Sequence, residues 1–528
     1  MPATGNGLET TLARRYRWGR TACGYGDRWA ARSGQAATGD RHVVARPVSD
    51  TASRGGTMTD LLVRNGRVVT QDPDRRVIAD GAVAVADGEI LAVGPTDDVT
   101  ADHDADRVLD ADGGAVIPGL VNPHTHVSDI LLRGSFAEDR DLLDWLYNVK
   151  RPGALAMEPA EHELAATLYC IEAIQSGVTT FVENDTEVLW DDWAEIEAKL
   201  DVYERSGVRN VYGAGIVDRG ADDEFQRLIR DIQAREDGVD HPPLGTFVEE
   251  TDDVLAEVDS LIETYHGTAE GRQSIWPAPV VVETTTNEGF RRAYELAEKH
   301  DVMTTAHVAE AEAQESRDIS SIEYLRNVDY LGERALLGHC VQIDQGDVRL
   351  LAETGTAVAH NYRANMRLAA GYAPVVGMLD TGVTVGLGTD NSILSDTVNP
   401  LGDARAMAGG HRGHHRDPSV VPTQRAFDMI TVEAAGAIGR GDDLGSLEAG
   451  KEADLAIVDM DHPHLTPSPD PVFSLVHNAQ GFEVDTVVCA GEIVMQDREI
   501  ESFDVDVDDV LDRASETAAE IVERTGYE

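Results

Sequence analysis

The sequence predicts an α/β fold: a (β/α)8 TIM-type barrel carrying a small β-sandwich domain built from N- and C-terminal segments. Eight short apolar segments alternate with helix-like stretches between residues 118 and 436, the pattern of repeated βα units. Two strand-textured segments, 58–117 and 437–500, flank them, and polar residues gather at the C-terminal ends of the apolar segments.

Residues 1–57 stand apart. They hold nine arginines and only four acids with no clear period, and are expected to be disordered or to stem from a mis-chosen start codon. From Met58 the chain settles into strands broken by turn signals, LLVRNGRVVT, VADGEILAVG and ADRVLDADGGAVIPG, with NG and ADG as hairpin punctuation. LEAGKEADLAIVDMD and VDTVVCAGEIVMQDREI repeat that texture near the other end, so the two segments are expected to pair. In between, the candidate strands are AVIPGLV, TTFVEN, RNVYGAGI, SIWPAPVV, MTTAHV, ALLGHC, TAVAHN and TVGLGTD. Intervals such as EPAEHELAATLYCIEAIQSG and GFRRAYELAEKHD read as helices, and 501–528 as an acidic, amphipathic C-terminal helix.

The charge balance narrows the partners. Against 44 basic residues stand 96 acidic ones, a net charge of −52, and only Lys150, Lys199, Lys299 and Lys451 are lysines. Such a coat repels nucleic acid and anionic membrane, so a small-molecule substrate is expected. The coat looks like that of a halophile's cytosolic protein, where salt screens the repulsion. Cys23, Cys170, Cys340 and Cys489 lie far apart with no CxxC pair, which suits a reducing cytoplasm. No apolar run reaches the roughly 18 residues of a membrane helix, and no apolar stretch follows ARRYRWGR as in a signal peptide.

VNPHTH sets His124 and His126 two apart at the end of an apolar run. Alternate residues of a strand face the same way, so both imidazoles project to one side. His307, His339 and Asp390 end the fifth, sixth and eighth candidate strands. His124, His126, His307 and Asp390 supply three imidazoles and one carboxylate, a set suited to one Zn²⁺, or Fe²⁺, with a position left for water. Each residue also has a plainer role: backbone-satisfied histidines for the pair, a helix N-cap for Asp390, a core position for His339, a solvated carboxylate for Glu310. Those roles would all have to hold together at successive strand ends, so the metal reading is stronger. HRGHHR (His411, His414, His415) is metal-like in composition only and is expected in a Gly-rich solvated loop. His360 is placed to line the pocket without serving as a ligand. The H-x-E with P-C-x-x-C zinc signature is absent, as is a Walker-type phosphate loop.

PGLVNPHTH, TTAHVAE, LGHC and GLGTD, in this order, resemble the amidohydrolase superfamily. More narrowly they are similar to the branch with S-adenosylhomocysteine/methylthioadenosine deaminases and triazine hydrolases. The likeness runs from Met58 to about residue 500 and includes LLRG…DWL, TVEAAGAIG and GSLEAGKEADL. It implies a homo-oligomeric hydrolase in which a metal-bound hydroxide attacks an aminated nitrogen heterocycle and ammonia leaves. It assigns Glu310 the proton shuttle, His339 the stabilisation of charge on the adduct, and Asp390 the acceptance of a proton from the water. The same site also suits displacement of another group, as in triazine chlorohydrolases, or opening of a cyclic amide; a non-catalytic scaffold would have lost these residues.

The sequence departs from the branch around the substrate. A glutamate that holds ribose hydroxyls in the deaminases aligns with Ala154 when DWLYNVKRPGAL is set on Trp145 and Pro152. A strand-four histidine aligns within Pro277 to Pro279, and PxSN reads YRAN, keeping Asn365 but inserting Tyr362 and Arg363. Trp145, Arg133, Arg363 and Asn365 are therefore the expected substrate contacts, the arginines facing an acidic group if the substrate carries one.

Overall fold

The computed structural model describes residues 59–527, apart from 136–139, 191–192, 221–222, 237 and 316–317. The expectation for residues 1–57 lies outside these.

The two strand-rich segments at either end of the described chain meet in one nine-stranded sheet. Leu455–Val458 runs antiparallel to Ala115–Pro118, with Ala456 opposite Ile117, and so joins strands from residues 59–118 to strands from 455–500. Leu61, Val63, Val83, Val116, Leu455 and Val488 form a core cluster drawn from both segments. The ADG signal is a turn between Val77–Ala86 and Glu89–Pro95, with Asp87 and Gly88 at φ +52° and +81°. The NG signal corrects the sequence reading. Asn65 and Gly66 lie inside the long strand Thr59–Val69, at a register shift, so Asn65 at φ +58° makes a bulge there and not a hairpin turn.

AVIPGLV is likewise not one strand. Ala115–Pro118 belongs to the nine-stranded sheet, while Leu120–His126 begins a parallel sheet. Gly119 marks the division, since a Cβ there would meet the Thr179 hydroxyl at 2.2 Å. Five parallel strands follow the order Asp390–Asn391, Leu120–His126, Val178–Asp185, Arg209–Ile216, Gln273–Pro279. Four more, Thr304–Val308, Ala335–His339, Ala357–His360 and Val385–Leu387, form a second parallel sheet. These strands are buried throughout or nearly so, as parallel strands covered on both faces must be. The result is an α/β structure with parallel sheets, consistent with a TIM-barrel-like fold.

The helices follow their local chemistry. In Pro159–Gln175 the Glu161 carboxylate accepts from the Glu158 backbone N–H at 2.8 Å, and Leu164, Ala165, Tyr169 and Cys170 face inward. In Asn287–His300 the Thr286 hydroxyl accepts from Gly289 N–H at 2.9 Å, and Phe290, Ala293 and Ala297 are buried. Val507–Thr525 starts at an Asp506 cap, ends at a left-handed Gly526, and buries Val510, Ala514 and Ile521. No helix among the described residues is long and apolar enough to cross a membrane.

Candidate active site

The C-terminal ends of the parallel strands bring His124, His126, His307, His339, Glu310 and Asp390 together. His124 and His126 lie on one strand, their ring centroids 5.3 Å apart. His307 comes to within 4.8 Å of His124 by ring centroids, and its Nε2 stands 3.2 Å from His126 Nε2. Asp390 Oδ1 lies 3.5 Å from His126 Nε2 and 3.8 Å from His124 Nε2. Two glycines of the motifs make the space: a Cβ on Gly338 would meet His124 Cε1 at 3.0 Å, and one on Gly388 would meet His124 Cβ at 2.8 Å.

The strand ends pay for this convergence in backbone conformation. His339 and Asp390 sit at φ +69° and +58°, a left-handed state that costs a non-glycine residue roughly 1–2 kcal/mol. Neighbours over-determine both positions. The Asp390 carbonyl accepts from the Thr125 hydroxyl at 3.1 Å, and Asn391 N–H donates to Asp390 Oδ1 at 2.6 Å. His339 Nδ1 lies 3.0 Å from Asn365 Oδ1.

The donor set fits a divalent cation. Among the described residues neither nitrogen of the wholly buried His124 has a hydrogen-bond partner, nor has Asp390 Oδ2. His307 Nδ1 is 3.2 Å from the Val280 carbonyl, which places its proton there and leaves Nε2 as a bare lone pair. Burial, reinforced by neighbouring imidazoles and Lys150, pushes His124, His126 and His307 well below the ordinary histidine value, so they stand neutral, as ligation requires. His124, His126 and Asp390 form one cluster that could hold a metal ion, His124, His307 and His339 another, and Glu310, His339 and Asp390 a third.

Glu310 and His339 are a different kind of pair. Burial raises the Glu310 carboxyl to about 7, with Asp390 adding and His339 opposing. Burial alone would lower His339, but the facing carboxylates Glu310, 3.5 Å from Nδ1, and Asp390 carry it above its ordinary value. Gln314 fixes the loop beneath, its Oε1 accepting from Glu310 N–H at 2.8 Å and Ala311 N–H at 3.1 Å. Glu310 is thus a carboxyl near its titration point beside an imidazole, both open to the same cleft.

That cleft is walled mainly by apolar side chains, among them Leu142, Trp145, Tyr147, Val280 and Leu394, with His126, His307, His339, Glu310 and Asp390 also lining it. Of the four expected substrate contacts the structure brings only Trp145 to its lining. Arg133 does not line it, being paired with Glu172 at 2.7 Å. Arg363 is also turned away, bound to the buried Asp403 and to the Thr397 carbonyl at 3.1 Å. Asn365 is wholly buried and acts on His339, so it orients the imidazole. Both arginines are taken up by carboxylates, Arg133 by Glu172 and Arg363 by Asp403.

HRGHHR is helical, not a loop. It forms the last turns of Pro400–His415, started by an Asn399 side chain that accepts from Leu401 N–H at 3.1 Å. His411 is buried there, its Nε2 3.4 Å from that of His360, which lies outside the cleft lining. The sequence reading missed Lys150. It ends a π-helical turn, Leu146–Lys150, and is buried against Glu187, Thr186 and Asp129 at the cleft wall. A rare lysine within the apolar LLDWLYNVK was the available signal.

Known proteins match this arrangement. The amidohydrolase family matches residues 115–494, and a bacterial imidazolonepropionase-like composite domain matches residues 81–105. A 5-methylthioadenosine/S-adenosylhomocysteine deaminase of Haloarcula marismortui is 36% identical over 475 residues, covering 89% of this chain and 100% of its own. A 5′-deoxyadenosine deaminase of Methanosarcina mazei is 32% identical over 472 residues, covering 88% and 99%. Among solved structures, an adenosine deaminase from Xanthomonas campestris with bound zinc superposes with a TM-score of 0.78 at 26% identity, covering 89% of this chain and all of its own.

The parallel strands end in a buried cluster of imidazoles and carboxylates that could hold a metal ion. The chain belongs to the amidohydrolase family, and is an enzyme acting on carbon–nitrogen bonds.

Proposed function

We propose that this enzyme deaminates an adenosine-type nucleoside, hydrolysing the bond between the purine ring and its amino group. The carrying observation is the placement of Glu310: a buried carboxyl 3.5 Å from His339 Nδ1, clustered with His339 and Asp390 and lining the same cleft. Relatives that this chain matches over 99–100% of their own length are named as deaminases of such nucleosides. His124, His126, His307 and Asp390 would hold one divalent cation, and zinc is proposed from the zinc-bound structural relative. A cation held there would make water acidic enough to serve as nucleophile at neutral pH.

The side chains supply the rest. Water oxygen bonds to the amine-bearing ring carbon while Glu310 gives its proton to the adjacent ring nitrogen. Asp390 takes a proton from the attacking water, and His339 donates toward the oxygen as charge builds on it. Asp390 passes that proton to the amine, the carbon–nitrogen bond breaks and ammonia leaves, and the remaining hydroxyl proton passes to Glu310 as the carbonyl forms. Trp145, Leu142 and Val280 offer a planar ring an apolar slot that keeps bulk water away.

The same reading covers the architecture. The two parallel sheets close as one eight-stranded barrel over 118–436, Val385–Leu387 and Asp390–Asn391 being one interrupted eighth strand, supported by the parallel bridge Val281–His307 and the Asp390–Thr125 pairing. The nine-stranded sheet folds over as a composite sandwich of 58–117 and 437–500, supported by Ala453 N–H donating to the Gly88 carbonyl at 2.8 Å. The acidic coat suits a cytoplasmic halophilic homo-oligomer. The test is ammonia release, at high salt with zinc supplied, from adenosine, 5′-deoxyadenosine and 5′-methylthioadenosine. Release of chloride from chlorotriazines, with none of ammonia from the nucleosides, overturns the reading.

A further inference from the structure

The cleft has a second polar pole that the hydrolytic chemistry does not use. Lys150 is one of four lysines in the chain and is 4% exposed. Its ammonium lies 2.5 Å from the Thr186 hydroxyl, bonds to Glu187 Oε2, and stands 3.7 Å from Asp129. Among the described residues Glu187 Oε1 has only a distant cation, Arg151 Nε at 3.7 Å. Arg151 is itself laid over the Tyr147 ring, 4.5 Å from its centroid. Lys150, Arg151, Thr186 and Glu187 all line the cleft that Glu310 and His339 line. One carboxylate oxygen is therefore anchored, and the other keeps hydrogen-bond acceptor capacity toward the cleft.

Burying a lysine against carboxylates is costly unless geometry is good, and replacing the pair by apolar groups is often neutral. An ion pair at the wall of a substrate cleft whose exposed surface is largely apolar calls for a use. A carboxylate fixed in place accepts from hydroxyl groups, and two neighbouring hydroxyls suit its two oxygens. Ala154 and Glu187 also line one small polar recess with Asp129 and Lys150. Glu187 thus places a carboxylate in the recess that Ala154 borders.

We propose that Glu187, held by Lys150 as its positioning residue, is the specificity-determining residue that receives the sugar hydroxyls of the substrate. This rests on the nucleoside reading above. A site built to accept hydroxyl protons rejects an analogue that lacks them, because the carboxylate is then buried without its partners.

The experiment compares ammonia release from adenosine and 2′,3′-dideoxyadenosine by the zinc-loaded full chain. Wild type should favour adenosine in kcat/KM by about tenfold to a hundredfold. Glu187→Gln should remove most of that preference through KM, with the rate on the dideoxy compound retained. Lys150→Met should also raise KM for adenosine more than it lowers kcat. Adding Ala154→Glu to Glu187→Gln should restore part of the preference, a readout that a merely structural role would not give. Glu163→Gln, altering an exposed carboxylate paired with Arg205 outside the cleft lining, should leave the preference intact. Equal use of both compounds by wild type overturns the assignment and needs no variant. A preference that survives Glu187→Gln overturns it as well, and leaves the deaminase reading standing. No ammonia from either compound, nor from any other adenosine-type nucleoside, overturns that reading and this one with it.

Discussion

Asn122 and Thr389 clasp each other across the first and last parallel strands: Asn122 Nδ2 donates to the Thr389 hydroxyl at 2.8 Å, and Thr389 N–H donates to Asn122 Oδ1 at 3.0 Å. The clasp sits two residues before His124 and one before Asp390, both on strained or crowded backbone. It fixes the distance between the imidazole pair and the carboxylate. Asn122→Ala should therefore weaken zinc binding by roughly tenfold to a hundredfold, the usual effect of losing a group that orients ligands. Competition with a chelator of known affinity measures it; unchanged affinity would mean the clasp is only structural.

Glu310→Gln keeps the shape of the side chain and removes its proton transfer. Turnover should fall by on the order of a hundredfold or more, while metal content and thermal midpoint stay as in wild type. Elemental analysis beside an ammonia assay separates the two effects. Turnover near that of wild type would remove Glu310 from the chemistry.

What the sequence disclosed, and what it hid, divide along physical lines. His124, His126, His307, His339 and Asp390 were legible because metal chemistry needs few residue types and strand ends are marked by apolar runs. The Lys150–Glu187–Asp129 group was hidden because its members are brought together by folding alone, and no short-range period marks an ion pair. Arg133 and Arg363 misled for the same reason: Glu172 and Asp403, which claim them, lie 39 and 40 residues away. The HRGHHR helix was concealed by Gly409, Gly410 and Gly413, which lower helix propensity. At Gly410 packing overrides it, since the Tyr362 hydroxyl lies 1.6 Å from where a Cβ would stand.

The acidic surface carries its own expectation. With a net charge of −52, self-repulsion opposes the compact state at low salt. Screening shortens from about 10 Å at 0.1 M to about 3 Å at 1 M. The thermal midpoint should rise by at least several degrees (~5 °C or more) between 0.1 and 2 M KCl. A flat or falling midpoint over that range would show that the carboxylates are neutralised within the fold.

His162 gives a pH dependence whose sign is fixed by its burial. It lies on Pro159–Gln175, with Nδ1 2.9 Å from the Ser128 hydroxyl, and burial, aided by Lys199, lowers it from 6.5 to about 4. As pH falls below 6.5 the unfolded chain takes up a proton that the folded chain refuses until about 4. Stability that is complete above 6.5 is therefore lost progressively across that window, by roughly 2 kcal/mol between pH 7 and pH 5 from this group. His162→Gln retains a partner for Ser128 and removes the titration, so its unfolding free energy should fall less than that of wild type over the same interval. Urea unfolding of both chains at pH 7 and 5, in the same salt, gives the difference directly. Carboxylates common to both chains cancel in it, and a difference near zero would mean that His162 is protonated in the folded protein as readily as in the unfolded one.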